Sequence, residues 1–303
     1  MGMRLGFVSA ILGECAFEEV VGFAAEGGFE CVELMCWPVG KAERRYAGVT
    51  HIDMDGLTPE RESQIKGCLR EKGVAISALG YYPNLLDPDP ERRAFFAGHL
   101  AKVVDAASRL GVGLVNTFVG RDRSLGLEEN FAAFREVWPP IVRHAEGRGV
   151  RIGIENCPML FSGDEWPGGN NMAVSPAVWR RMFEMIPSPS FGLNYDPSHL
   201  VWQRMDHIKP IREFKDRLFH VHIKDVRVYR DRLDDHGILA APLAYHSPKL
   251  PGLGDIDWDG FLSALTDVRY GGDVCIEVED KAFEDTLEDR KRALMISKRV
   301  WRF

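Results

Sequence analysis

The side chains able to do chemistry fall in four short stretches. In "FHVHIKD" (219–225), Phe219, Val221 and Ile223 alternate with His220, His222 and Lys224, and Asp225 follows. Alternation at period two marks a β-strand with two unlike faces. The same pattern recurs in "VRIGIE" (150–155), "FGLNYD" (191–196) and "DVCIEV" (273–278). Val150, Ile152 and Ile154 oppose Arg151, Gly153 and Glu155; Phe191, Leu193 and Tyr195 oppose Gly192, Asn194 and Asp196; Val274, Ile276 and Val278 oppose Asp273, Cys275 and Glu277. Each stretch thus places one ligand-type group near its C-terminal end: Glu155, Asp196, His222 and Glu277. Three carboxylates and an imidazole at one place would repel each other and lose hydration, at a cost on the order of several kcal/mol for even one unpaired buried carboxylate. A divalent cation relieves both problems. A mixed oxygen and nitrogen set without thiolate suits Mn²⁺, Mg²⁺, Co²⁺ or a catalytic Zn²⁺, with Mn²⁺ preferred. Any one strand alone is better explained by an ion pair with Arg151, Lys224 or another basic residue; four in series favour the metal.

The elements that must position these groups repeat regularly. Strand candidates at 4–9, 31–35, 74–79, 113–118, 150–155, 191–196, 218–223 and 273–278 alternate with amphipathic segments at 17–27, 59–72, 91–110, 127–148, 176–186, 207–217, 258–268 and 284–301. Pro59 and Pro176 sit where a first helical residue belongs. "EKGV", "RLGV" and "GRGV" each put a glycine between a helix end and the next strand, as a left-handed C-cap requires. Eight strand-then-helix units in 303 residues match an α/β fold of the (β/α)8 TIM-barrel type, read as a single domain spanning 1–303. A doubly wound open sheet is the alternative, but "VSAILGE" lacks the G-x-G-x-x-G turn expected after its first strand. Two segments rich in Gly, Pro and Asn, at about 156–175 and 226–257, read as long loops over the C-terminal rim, where barrel active sites sit.

Composition narrows the classes. With 45 acidic against 38 basic residues the net charge is −7, which disfavours nucleic acid as a partner. No apolar run approaches the ~20 residues of a membrane span, and the N-terminus does not read as a signal peptide. Six scattered cysteines without a C-x-x-C pair read as reduced thiols of a cytoplasmic protein.

"GIENCPM" (153–159), "NYDPSHL" (194–200), "HVHIKD" (220–225), "PGLGDIDW" (251–258) and "IEVED" (276–280), in this order, resemble the xylose isomerase-like TIM barrel family of sugar phosphate isomerases and epimerases. The resemblance covers nearly the whole chain. It implies one divalent metal held by Glu155, Asp196, His222 and Glu277, the same four residues. It further implies that Glu155 and Glu277 act as the catalytic pair, moving a proton next to a sugar carbonyl through an enediolate. It gives His199 a contact with a substrate oxygen or a second metal. The family would suit a homodimer or homotetramer.

Around this centre, strand parity gives Lys224 as either a partner for a metal-site carboxylate or a substrate contact, and Asn116 as a polar contact to substrate. Glu33, ending the second strand, is placed to hydrogen-bond a substrate hydroxyl, with Trp37 as a ring for a sugar to stack on; Trp166, Trp202 and the Tyr81–Tyr82 pair are further aromatic candidates. His220, one layer deeper than His222, reads as a supporting residue. The expected function is a metal-dependent isomerase or epimerase of carbohydrate metabolism acting on a small sugar or keto-sugar. A lyase or dehydratase on a keto-sugar, keto-glycoside or inositol derivative is the alternative. A DNA-repair hydrolase of the endonuclease IV type is disfavoured, because the third and fourth strand ends ("LGYYPN", "NTFVGRD") lack histidine, although Asp234 and His236 offer one further ligand pair. A non-catalytic sugar-binding barrel would not need two opposed carboxylates.

Overall fold

Local signals set where the helices begin and end. Thr58 caps the helix Pro59–Lys72 by accepting a hydrogen bond from the Arg61 amide (3.2 Å), and Asp89 caps Pro90–Leu110 in the same manner. Gly73, Gly111 and Gly149 adopt φ of +67°, +77° and +69° behind three helices, so the expected left-handed positions are all present. The computed structural model describes residues 2–40, 46–160 and 168–301.

The strands β1 (Leu5–Val8), β2 (Cys31–Met35), β3 (Ala75–Gly80), β4 (Leu114–Thr117), β5 (Arg151–Glu155), β6 (Phe191–Tyr195), β7 (Leu218–Ile223) and β10 (Asp273–Ile276) close into one barrel, paired in the order β1-β10-β7-β6-β5-β4-β3-β2. Every pairing is parallel, and helices lie between the strands, so the chain is a (β/α)8 TIM barrel. The outward apolar residues form the main core with the helices: Phe191 packs against Phe134, Trp138 and Phe183, and Tyr195 stacks on Phe261.

Two irregularities break the simple alternation. The register between β6 and β7 jumps from Leu193↔Leu218 to Asn194↔His220, skipping Phe219. Phe219 therefore does not follow Val221 and Ile223 into the main core; it packs with Ala78 and Leu114, and the Arg151 guanidinium lies 4.6 Å from its ring centre. A similar jump between β2 and β3 skips Ser77, whose hydroxyl lies 3.2 Å from His220 Nε2. Bulges of this kind re-aim side chains next to sites.

The stretch 226–257, expected as a loop, contains structure of its own. β8 (Asp225–Val228) and β9 (His246–Lys249) form an antiparallel hairpin that carries a short helix, Arg230–His236. Asp234 and His236 lie on the exposed side of that helix, with Asp234 paired to Arg230, so they make no further ligand pair. The anchor of the whole excursion is Asp225. Its buried carboxylate accepts from the amides of Val226, Gly252, Gly254 and Ile256 and from the Trp258 indole, at 2.8–3.2 Å. A Cβ on Gly254 would stand 2.1 Å from Asp225 Oδ1, which is why "PGLGDIDW" carries glycine there. Among the described residues no helix is long and apolar enough to cross a membrane.

Removing the Asp225 acceptor leaves several buried donors without partners, each costing about 1–3 kcal/mol. Asp225→Ala is expected to lower the unfolding free energy in urea by about 3 kcal/mol or more, and Asp225→Asn, which keeps one acceptor oxygen, by less; a loss under about 1 kcal/mol in Asp225→Ala would contradict this role.

Candidate metal centre and substrate pocket

Four neighbouring strands deliver the predicted groups to one place. Glu155 ends β5, Asp196 follows β6, His222 lies on β7 and Glu277 follows β10, and one ligand atom from each lies within 4.8 Å of the others. His222 Nδ1 is 3.8 Å from Glu155 Oε1 and 3.3 Å from Glu277 Oε2. Two of the groups are aimed from outside the ring. Asp196 Oδ1 accepts from the Ser198 amide (2.7 Å), while Asn156 clamps the Asp196 backbone on both sides at 2.8 Å. His222 Nε2 donates to Glu33 Oε2 at 2.7 Å, which turns Nδ1 toward the carboxylates.

The test of whether a cation fits is whether lone pairs are left over. Asp196 Oδ2 and His222 Nδ1 are both buried and have no hydrogen-bond partner. Two buried polar atoms without hydrogen-bond partners in one ring, with two further carboxylates beside them, match a divalent ion with oxygen and nitrogen ligands. The carboxylate beneath His222 supplies the outer support that metal-bound imidazoles ordinarily have. Glu155, Asp196, His222 and Glu277 would hold such an ion.

Charges here balance one another. Burial works against a proton on His222, but the charge of Glu33, with Glu155 and Glu277 close to Nδ1, outweighs it, so the imidazole titrates well above its ordinary range. Burial likewise opposes the Lys224 ammonium, and Glu277, Glu279 and Asp196 more than compensate. Its Nζ lies 2.7 Å from Glu279, 3.3 Å from Glu277 and 3.7 Å from Asp196. Against the same burial, Lys224 and His222 hold Glu277 below the usual carboxylate range.

The other expected substrate contacts divide. His199 stands beside the ring, 3.2 Å from Asp196 Oδ2 and 3.8 Å from Glu155 Oε1. Lys224 and Trp37 line the pocket above the ring. Glu33 and Asn116 do not: both are fully buried beneath it. Glu33 bonds His222, the Tyr82 hydroxyl and Asn116 Nδ2 (3.1 Å), so its carboxylate is engaged by three side chains. His220 is in the same layer, with Nδ1 3.0 Å from Asn194 Oδ1, and supports as expected. Tyr81 points away and packs on Trp37 and His99. Trp202 stacks on His246 and reaches His199 Nδ1 at 3.4 Å; Trp166 lies outside the described residues.

Several site residues escaped the sequence reading. Glu279 continues the Glu277 parity and was available from "IEVED". Asn171 ties the backbone carbonyls of Glu155 and Cys157 (3.0 and 2.6 Å) from a distant loop. His246, from the hairpin, is held neutral: burial, then the positive His199 and Lys224, push it down to about 3. No local pattern marks either of these two.

Residues 21–299 match the model of the xylose isomerase-like TIM barrel, and the chain belongs to that family. A curated relative, the uncharacterized protein YfiH of Bacillus subtilis (strain 168), is 27% identical over 92% of this chain and 93% of its own. Among solved structures, the IOLI protein with a bound zinc atom superposes with TM-score 0.73 (16% identity, 98% of each chain). The probable 3-DHS dehydratase AsbF of Bacillus anthracis gives 0.71 (16%, 98% of each). D-psicose 3-epimerase of Clostridium cellulolyticum H10 gives 0.69 (16%, 97% of this chain and 96% of that one). At such identities these likenesses establish the fold.

Metal uptake must displace the His222 proton, so binding is coupled to pH. The sign follows from the raised imidazole: affinity is low while the proton is held, and rises about tenfold per pH unit until the pH passes the His222 value in the folded protein. Calorimetric titration with Mn²⁺ or Zn²⁺ in two buffers of different ionisation enthalpy is expected to show one equivalent bound with net proton release, and none bound in Asp196→Ala. Glu33→Gln is expected to weaken metal affinity by about 10–100-fold; an unchanged affinity would remove Glu33 from the supporting role.

Proposed function

We propose that the protein is a divalent-metal-dependent isomerase or epimerase acting on a small sugar or keto-sugar, with Mn²⁺ the first candidate ion. The observation that carries this reading is the placement of Glu155 and Glu277. They approach one imidazole nitrogen from either flank, at 3.8 and 3.3 Å, and both open onto the same pocket. A carbon-bound proton presented between them has a carboxylate within reach on either side, and the one that removes it becomes a carboxylic acid able to return it. The ion, when bound, lowers the cost of the negative charge that develops on the carbonyl and neighbouring oxygen of the substrate. Lys224 adds a fixed positive charge at the pocket wall for a substrate oxygen, and His199 sits where it can bind a second one. The solved neighbours titled as sugar 3-epimerases support this class.

A lyase is the second reading. The Lys224 ammonium beside Glu277 is suited to steady a departing oxygen after the same proton abstraction, and one neighbour of the same fold is titled a dehydratase.

Purified protein with Mn²⁺ is expected to exchange a carbon-bound proton of a ketose with D₂O, giving an isobaric product; loss of water or of an aglycone in the product mass would select the lyase. Glu155→Gln and Glu277→Gln, assayed with metal content measured alongside, are expected to slow exchange by about 10²–10⁴-fold. No exchange across a broad panel of sugars and keto-sugars would sink the proposal.

A further inference from the structure

Charge is spread unevenly around the pocket. Among its described lining residues Lys224 is the one permanent cation, against Glu155, Glu277 and Glu279. The opposite wall, with Val8, Met35, Trp37, Tyr46, Tyr82 and Phe118, is mostly apolar and carries no charge at neutral pH. Cys157, close to Glu155 and His199, adds none, because burial pushes its thiol up.

Three carboxylates surround the Lys224 ammonium. Its Nζ lies 2.7 Å from Glu279, 3.3 Å from Glu277 and 3.7 Å from Asp196. Glu277 and Asp196 belong to the four-residue ring, where a bound ion draws on their charge; Glu279 stands outside that ring. It is also the nearest of the three, and its side chain, 29% exposed, lines the pocket. Glu279 is therefore the counter-ion that Lys224 keeps when the ring is loaded.

The balance then stays negative. Glu33, Glu155, Asp196, Glu277 and Glu279 outnumber the charges of a divalent ion and Lys224 together, and a proton on His199 does not reverse the sign. An anion entering the pocket meets this excess, and among the described lining residues no unbalanced cation receives it. Like charges brought together in a partly desolvated site repel strongly. A neutral sugar avoids that cost, because its hydroxyl and carbonyl oxygens need only a hydrogen-bond donor, and the ammonium of Lys224 remains one.

We propose that Glu279 is a specificity-determining residue: by balancing Lys224 it restricts the pocket to uncharged sugars and keeps out sugar acids and sugar phosphates. The inference rests on the sugar-chemistry reading of the metal centre and adds the charge class of its substrate. Discrimination of this kind is built from repulsion of the wrong ligand as much as from attraction of the right one.

The test is calorimetric binding of two matched pairs to the metal-loaded protein: D-glucuronamide with D-glucuronate, and D-galacturonamide with D-galacturonate. Within a pair the shape is nearly constant and one negative charge is added. For at least one pair the amide is expected to bind about tenfold or more tightly than the acid, the scale of one close like-charge contact. The ion itself attracts a carboxylate, so a preference for the amide has to come from the surrounding side chains. Glu279→Gln is expected to bring that pair within about threefold by tightening the acid, a gain that general damage to the pocket does not produce. Glu279→Asp, which keeps the charge, is expected to retain the preference. Acid and amide binding equally to the unaltered protein, neither binding at all, or a preference that does not follow the charge at position 279 would each overturn the role of Glu279. Deuterium exchange on neutral keto-sugars reports on the metal centre separately: an exchange-active enzyme without the charge preference loses this role for Glu279 and keeps the catalytic reading.

Discussion

The rest of the site hangs on one imidazole between two sets of carboxylates. The upper interior of a TIM barrel is ordinarily filled by layers of branched apolar side chains; here the layer under the site holds Glu33, Asn116, Asn194 and His220. A buried glutamate in that position is unfavourable unless it is paired and hydrogen-bonded. His222 Nε2, Tyr82 and Asn116 supply those bonds. The pairing fixes His222 in turn, and with its Nε2 engaged, Nδ1 has only the ring above to face. The polar layer and the metal centre are therefore one object: the interior that would otherwise be filler sets the direction of a ligand.

A division of labour between the halves of the chain follows. The ends of β5, β6, β7 and β10 carry the ionisable ring. The ends of β1, β2 and β3, with Phe118 after β4, carry the apolar wall. The N-terminal half reaches across beneath the ring, where Glu33 meets His222, Ser77 meets His220 and Tyr82 meets Asn194. The pocket therefore joins ionisable side chains from one half of the chain to a mostly apolar lining, Tyr46 included, from the other.

Where the sequence was legible, short-range periodicity was the reason. Glu155, Asp196, His222 and Glu277 follow from period two, which needs no knowledge of neighbours, and the left-handed glycines follow from local backbone geometry. Phe219 was misplaced because a bulge against β6 shifts the register at that residue, and a bulge is a property of two strands together. Asn116 has the inward parity assigned to it; how deep it and Glu33 sit depends on the stagger between strands, which no single strand encodes. Asp225 was visible as a residue, but its partners lie about thirty positions onward in "PGLGDIDW", and a one-dimensional pattern does not say that an aspartate and a glycine turn will meet. Asn156 and Asn171 are silent in the same sense: an asparagine beside a ligand reads the same whether it clamps a backbone or faces water.

Lys224 and His222 both place positive charge among the same carboxylates, yet they are not equivalent. A lysine ammonium has no lone pair while charged, and among Glu277, Glu279 and Asp196 it is stabilised in that form, so it persists as a fixed charge. The His222 proton is exchangeable, because the nitrogen that holds it is the one with no hydrogen-bond partner. Replacing that proton by a divalent ion adds one unit of positive charge to a ring already rich in carboxylate, and it satisfies Asp196 Oδ2 at the same time. The ring thus has two electrically sensible states, proton-loaded and cation-loaded, and Lys224 limits the positive charge either can hold by occupying the space beside His199, 3.4 Å from its Nε2.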